Sequence, residues 1–177
     1  MHGSASPLPL PASPGGNAAP PDVLEAAVRV AMAMLGPRTV STRPQGACPL
    51  PMLTVKQTAA LIDEIPVLAA IAPHTEEGIE VRDAKELRVK ESDRIAALAT
   101  NLRAMGAQVE ELEDGLRIPG GQSLRGAELE SFGDHRIAMA FSIAALRAKG
   151  ETLIRGSECA AISYPAFFST LEGLVER

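Results

Sequence analysis

Aromatic side chains are scarce in this chain, which has no Trp, one Tyr and four Phe, so stacking platforms for bases or sugars are not expected. Cysteine is nearly as rare. Cys48 and Cys159 lie far apart without metal-ligand spacing, which leaves a zinc site without support and makes a reduced, cytoplasmic setting the simplest reading. Long apolar runs are missing too. The best of them, Val23 to Leu35, is short and interrupted by Glu25 and Arg29, so no membrane span is expected. The N-terminus also lacks the basic segment and apolar block of an export signal. Base is outnumbered by acid, and the net charge of −5 argues against a general nucleic-acid partner, although a local basic cluster could still hold a phosphate.

The remaining composition is that of a globular domain. With 177 residues, 46% of them hydrophobic and 22% charged, the chain can build one real core and is too short for two. Residues 1–21 hold six prolines (Pro7, Pro9, Pro11, Pro14, Pro20 and Pro21) and read as a disordered leader, with a single domain over 22–177.

Asp22 caps an expected helix from Val23 to Leu35, stopped by Gly36-Pro37. Prolines return before Leu53, leaving only Thr39 to Thr42 able to form a strand. Thr54 to Ala72 is apolar at helical spacing and broken at Pro66, which puts Asp63 and Glu64 at a junction between two helices. A strand is expected over Gly78 to Arg82, then a helix from about Glu91 to Met105 ended by Gly106. Strands at Gln108 to Leu112 and Leu116 to Ile118 flank Asp114-Gly115, a strong hairpin signal.

A further strand near Ala127 to Glu130 precedes a helix from Ile137 to Ala148 capped by Asp134. Thr152 to Arg155 forms the last strand, and Pro165 opens a final helix with Phe167, Phe168 and Leu171 on its apolar side. The pattern is α/β or α+β. It also repeats. Asp63 to Ala69 and the strand ending at Arg82 echo Asp134 to Ala140 and the strand ending at Arg155, as in two pseudo-symmetric halves of one domain.

Charge concentrates in one place. Glu86 to Arg94 carries three cations (Arg88, Lys90, Arg94) and three acids (Glu86, Glu91, Asp93) just before an apolar helix face, which suits either a solvated helix end or a helix N-terminus that meets an anion. Lys90 and Arg94, four apart, share a face if the helix includes both. Arg supplies a fork for carboxylate or phosphate and Lys a point charge, while Glu91 between them could act as general acid or base. Asp134-His135-Arg136 opens another helix, where Asp134 reads as a cap, His135 as a neutral surface residue and Arg136 as solvated unless something recruits it. Asp63 either ends a helix or, if buried, serves as a base. No Ser-His-Asp order, phosphate loop or metal cluster is evident.

The runs Leu87 to Arg94 with Ala96 to Leu102, Met105 to Ala107, Asp114 to Leu116, Asp134 to Ala140 and Tyr164 to Phe168 together resemble the 5-enolpyruvylshikimate-3-phosphate synthases, continuously from about Ala60 to Leu174. The resemblance implies an enolpyruvyl transferase-like domain of repeated helix and strand units, with helix N-termini facing an interdomain cleft. It further implies transfer of the enolpyruvyl group of phosphoenolpyruvate to the 5-hydroxyl of shikimate 3-phosphate, with release of phosphate, in aromatic amino acid biosynthesis. No metal or organic cofactor is implied.

By position, Asp63 resembles the proton acceptor from the 5-hydroxyl, which also touches shikimate 3-phosphate, and Lys90 resembles a second shikimate 3-phosphate ligand. Glu91 resembles the acid that exchanges a proton with the methylene carbon. Arg94 and Arg136 resemble the pair that clamps phosphoenolpyruvate. Ile162 stands where some members carry another phosphoenolpyruvate-binding lysine. Residues 36–53 match poorly, and an N-terminal partner domain, the expected source of most shikimate 3-phosphate contacts, has no counterpart in the sequence. Two competing readings follow, a non-catalytic truncated remnant of such an enzyme and, ranked lower, transfer onto UDP-N-acetylglucosamine.

Overall fold

A computed structural model describes residues 55–175, so the expected leader, the helix at 23–35 and the strand at 39–42 lie outside the described residues. Helix α1, Val55–Ala60, and helix α2, Ile65–Ile71, are separated by a tight turn, because Pro66 has no N–H for a continuous helix but fits the first turn of a new one. Asp63 and Glu64 occupy that turn, as expected. Thr58 anchors α1 by donating its hydroxyl to the Arg82 carbonyl at 3.0 Å.

Strand β1, Gly78–Val81, then enters an antiparallel sheet with β2, Glu110–Leu112, and β3, Gly115–Pro119, in the order β1-β3-β2. Alternation divides its faces: Val81, Leu116 and Ile118 point into the core, whereas Glu80 and Arg117 pair across the strands at 2.9 Å. The hairpin turns one residue earlier than expected. Leu112 pairs with Gly115, so the two-residue loop is Glu113-Asp114. Gly115 is needed for close approach, since a Cβ there would stand 1.9 Å from the Val81 carbonyl oxygen.

Helix α3, Arg94–Ala104, begins three residues later than the sequence suggests. Asp93 caps it by accepting the Ala96 N–H at 3.0 Å, while Lys90 is extended and stands before the helix, so Lys90 and Arg94 do not share a helical face. The helix ends at Gly106, whose φ of +87° closes the turn. Ile95, Leu98 and Leu102 line its buried side, continued by Met105.

Strand β4, Glu128–Glu130, connects through helix α4, His135–Ala145, to the parallel strand β5, Leu153–Arg155. Every residue from Ile137 to Ala144 is buried, which makes α4 the central element, packed on α2 and on the 3₁₀ turn Ser157–Ile162. Its last turn tightens, as Leu146, Arg147 and Ala148 bond three residues back, and so the regular helix stops short of the expected Ala148.

Asn101 of α3 holds the outer edge of β4, donating to the Glu130 carbonyl at 2.8 Å and accepting the Glu130 N–H at 3.2 Å. Helix α5, Phe167–Val175, buries Phe167 and Leu171. Phe168, expected on the same side, is 39% exposed, because neighbouring positions on a helix point about 100° apart. The repeat survives as element order, with α2, β1 and α3 followed by α4, β5 and α5, although β1 lies in an antiparallel sheet and β5 in a parallel pair. Among the described residues no helix is long and apolar enough to cross a membrane.

Candidate active site

Three helix starts converge, and each delivers one expected residue. The turn before α2 carries Asp63, the first position of α3 is Arg94, and the second position of α4 is Arg136. Lys90 and Glu91 come from the non-helical link ahead of α3. That link is clasped to the hairpin by Arg88, which donates to Asp93 at 2.8 Å, Glu111 at 3.1 Å and the carbonyls of Leu112 and Glu113 at 2.7 and 2.8 Å. Arg88 is therefore a structural tie within the charge-dense stretch.

Asp63 is the meeting point of the cations. Its carboxylate lies 3.1 Å from Arg94 Nη1, 3.9 Å from Lys90 Nζ and 3.8 Å from Arg136 Nη2, and its main-chain carbonyl accepts from Arg136 Nη1 at 2.6 Å. The side chain is 43% exposed and surrounded by cations, in contrast to the buried acid beside a like charge that a perturbed base would require. Glu91 lies 2.6 Å from Arg94 Nη2 and is about equally exposed. Lys90 rests 2.6 Å from Glu86, and Arg136 comes within 4.0 Å of Glu64. The five residues expected at the site thus form one contiguous network.

At its base sits Asp134, a residue read from the sequence only as a cap. It is fully buried against a fully buried Arg94, with Nε donating to Oδ2 at 2.8 Å. It also accepts the Arg136 N–H at 2.9 Å, which is the cap, and the Ser92 hydroxyl at 3.1 Å. Burial by itself would drive both groups toward neutrality, but their mutual hydrogen bond and charge outweigh it, so Asp134 is held below the usual carboxylate range and Arg94 above its ordinary value. His135 is pushed down chiefly by burial, against Asp134 and Glu91 and with help from Arg136 and Arg94, which keeps it neutral near pH 7. Sequence alone could show that Asp134 caps a helix; its second oxygen finding Arg94, forty positions away, depends on the packing of α3 against α4.

The arrangement suits a small substrate bearing carboxylate and phosphate. Guanidinium forks and an ammonium stand beside two half-exposed carboxyls that an incoming anion could displace and that could then move protons. Ile162 is 76% exposed and offers no charge. Among the described residues no cluster of His, Cys, Asp or Glu could hold a metal ion.

The family profile for EPSP synthase (3-phosphoshikimate 1-carboxyvinyltransferase) matches residues 37–171. The 3-phosphoshikimate 1-carboxyvinyltransferase of Koribacter versatilis is 70% identical over 120 residues, covering 68% of this chain and 28% of the relative. That of Solibacter usitatus is 59% identical over 119 residues, covering 67% and 28%. The solved EPSP synthase of Acinetobacter baumannii superposes with a TM-score of 0.66 at 39% identity, over 70% of this chain and 29% of that one. The chain therefore spans little more than a quarter of the length of these relatives. Since the matched region contains the whole network from Asp63 to Arg136, this chain belongs to the EPSP synthase family.

Proposed function

We propose that the chain supplies the phosphoenolpyruvate-facing wall of an enolpyruvyl transferase, and that it needs a separate N-terminal domain to turn over. The observation that carries this reading is the convergence of Arg94, Arg136 and Lys90 on Asp63 and Glu91. In the reaction, the 5-hydroxyl of shikimate 3-phosphate adds to C2 of phosphoenolpyruvate, and phosphate then leaves from the same carbon. Asp63 takes the hydroxyl proton and Glu91 exchanges one with the methylene carbon. Arg94 and Arg136 hold the carboxylate and phosphate of phosphoenolpyruvate, and Lys90 holds shikimate 3-phosphate beside the reacting hydroxyl. The chemistry needs no cofactor, and both substrates are phosphorylated metabolites that do not cross membranes unaided, which supports a cytoplasmic setting.

The relatives' greater length supports the dependence on a partner domain, which would close the site from the opposite side. A phosphate-release assay with both substrates tests it, run on the chain alone and after addition of a separately made N-terminal domain of a relative. Phosphate release only in the mixture is expected. Turnover by the chain alone would refute the dependence, and no turnover in either sample would favour a non-catalytic remnant.

A further inference from the structure

The partners of Arg94 differ in exposure from one edge of its guanidinium to the other. On the inner edge, Nε donates to Asp134 Oδ2 at 2.8 Å, with a longer contact from Nη2 to Oδ1 at 3.4 Å. On the outer edge, Nη1 meets Asp63 at 3.1 Å and Nη2 meets Glu91 at 2.6 Å, both of them roughly half exposed. Asp134 is 0% exposed and fixed from several further directions. Its Oδ1 caps α4 at the Arg136 N–H, its Oδ2 accepts the Ser92 hydroxyl, and its own N–H donates to the Ser131 carbonyl at 3.0 Å.

The turn that delivers Asp134 is strained. Phe132, at φ +55°, and Gly133, at φ +70°, both adopt left-handed backbone, and Phe132 is 47% exposed. A bulky residue in that region costs stability and persists only where its surroundings impose the conformation.

Resting on the reading of the site given above, we infer that Asp134 is a positioning residue: it anchors the Nε edge of Arg94 and the backbone of Arg136 at once, so that the outer edge of Arg94 can trade Asp63 and Glu91 for an anionic substrate. A guanidinium pinned along one edge by a buried carboxylate presents its other donors in a fixed plane. Displacing Asp63 and Glu91 from that plane also releases both carboxyls for proton transfer.

Asp134→Asn separates the anchor from the cap. The one remaining oxygen can still accept the Arg136 N–H, while the amide NH₂ faces Nε of Arg94, donor against donor. Nitrogen-15 spectra of the full chain follow the Arg94 Nε–H, assigned by its loss in Arg94→Lys. A slowly exchanging Nε–H is expected in the native protein, with exchange faster by about tenfold or more in Asp134→Asn. In Asp63→Asn and Glu91→Gln the signal should keep its slow exchange, and this pair decides the matter if Asp134→Asn does not fold. The inference is overturned if exchange is unchanged in Asp134→Asn, or if Asp63→Asn or Glu91→Gln abolishes the protection. Phosphoenolpyruvate added to the native chain should shift the Nη signals and leave Nε in place. Protection at Nε without any phosphoenolpyruvate effect would sustain the anchor and count against the anion-binding reading.

Discussion

At the scale of single residues, the strongest constraint is that a buried guanidinium and a buried carboxylate tolerate burial only together. Arg94 and Asp134 each offset the cost of burying the other's charge. A half-buried titratable group lies away from the site. His74 follows α2, is held below the ordinary histidine value of 6.5 chiefly by burial and then by Arg147, with a main-chain bond to Ala144 opposing, and its Nε2 is buried without a partner among the described residues. Because the unfolded chain takes up this proton first, the folded state is favoured fully above about pH 6.5 and loses that advantage as pH falls toward the lowered folded value. Urea midpoints measured from pH 7 downward should therefore fall, and His74→Leu should flatten that decline in part, His135 sharing the same sign. An unchanged slope in His74→Leu would show that His74 is not the group responsible.

At the scale of elements, the site depends on how α3 and α4 are held relative to one another. Asn101 contributes by pairing both main-chain groups of Glu130, taking the place of a neighbouring strand at the edge of β4, the strand that leads into the Asp134 turn. Asn101→Leu keeps the branched shape and strands both groups, so denaturation should show a loss of roughly 2–4 kcal/mol. A loss below about 1 kcal/mol would mean that apolar packing alone holds β4 on α3.

Much of this level was legible in the sequence. Pro66 dividing two helices, Gly106 ending α3 and Asp134 starting α4 are local backbone effects that a few residues dictate. The departures arose where tertiary contact decides. Gly115 resembles a turn residue yet serves the close approach of β3 to Val81, and α3 starts at Arg94 because Asp93 caps it while Arg88 ties Asp93 to the hairpin, leaving Glu91 and Ser92 outside the helix.

At the scale of the whole molecule, the Glu86 to Arg94 stretch was ambiguous from charge pattern alone, since a solvated helix end and an anion site have the same composition. The fold adds what charge pattern does not hold, bringing Asp63 and Arg136 from the starts of α2 and α4 to the same place. Asp134 remained hidden because its second function depends on an Arg forty positions away. The central claim is that this network, rather than being a set of mutually satisfied ion pairs, is open to a small anion. Calorimetry of phosphoenolpyruvate binding to the 177-residue chain tests it most directly. The account predicts saturable binding, on the order of millimolar, that weakens with added salt and disappears in Arg136→Ala. Absence of binding, or binding that Arg136→Ala leaves unchanged, would contradict it.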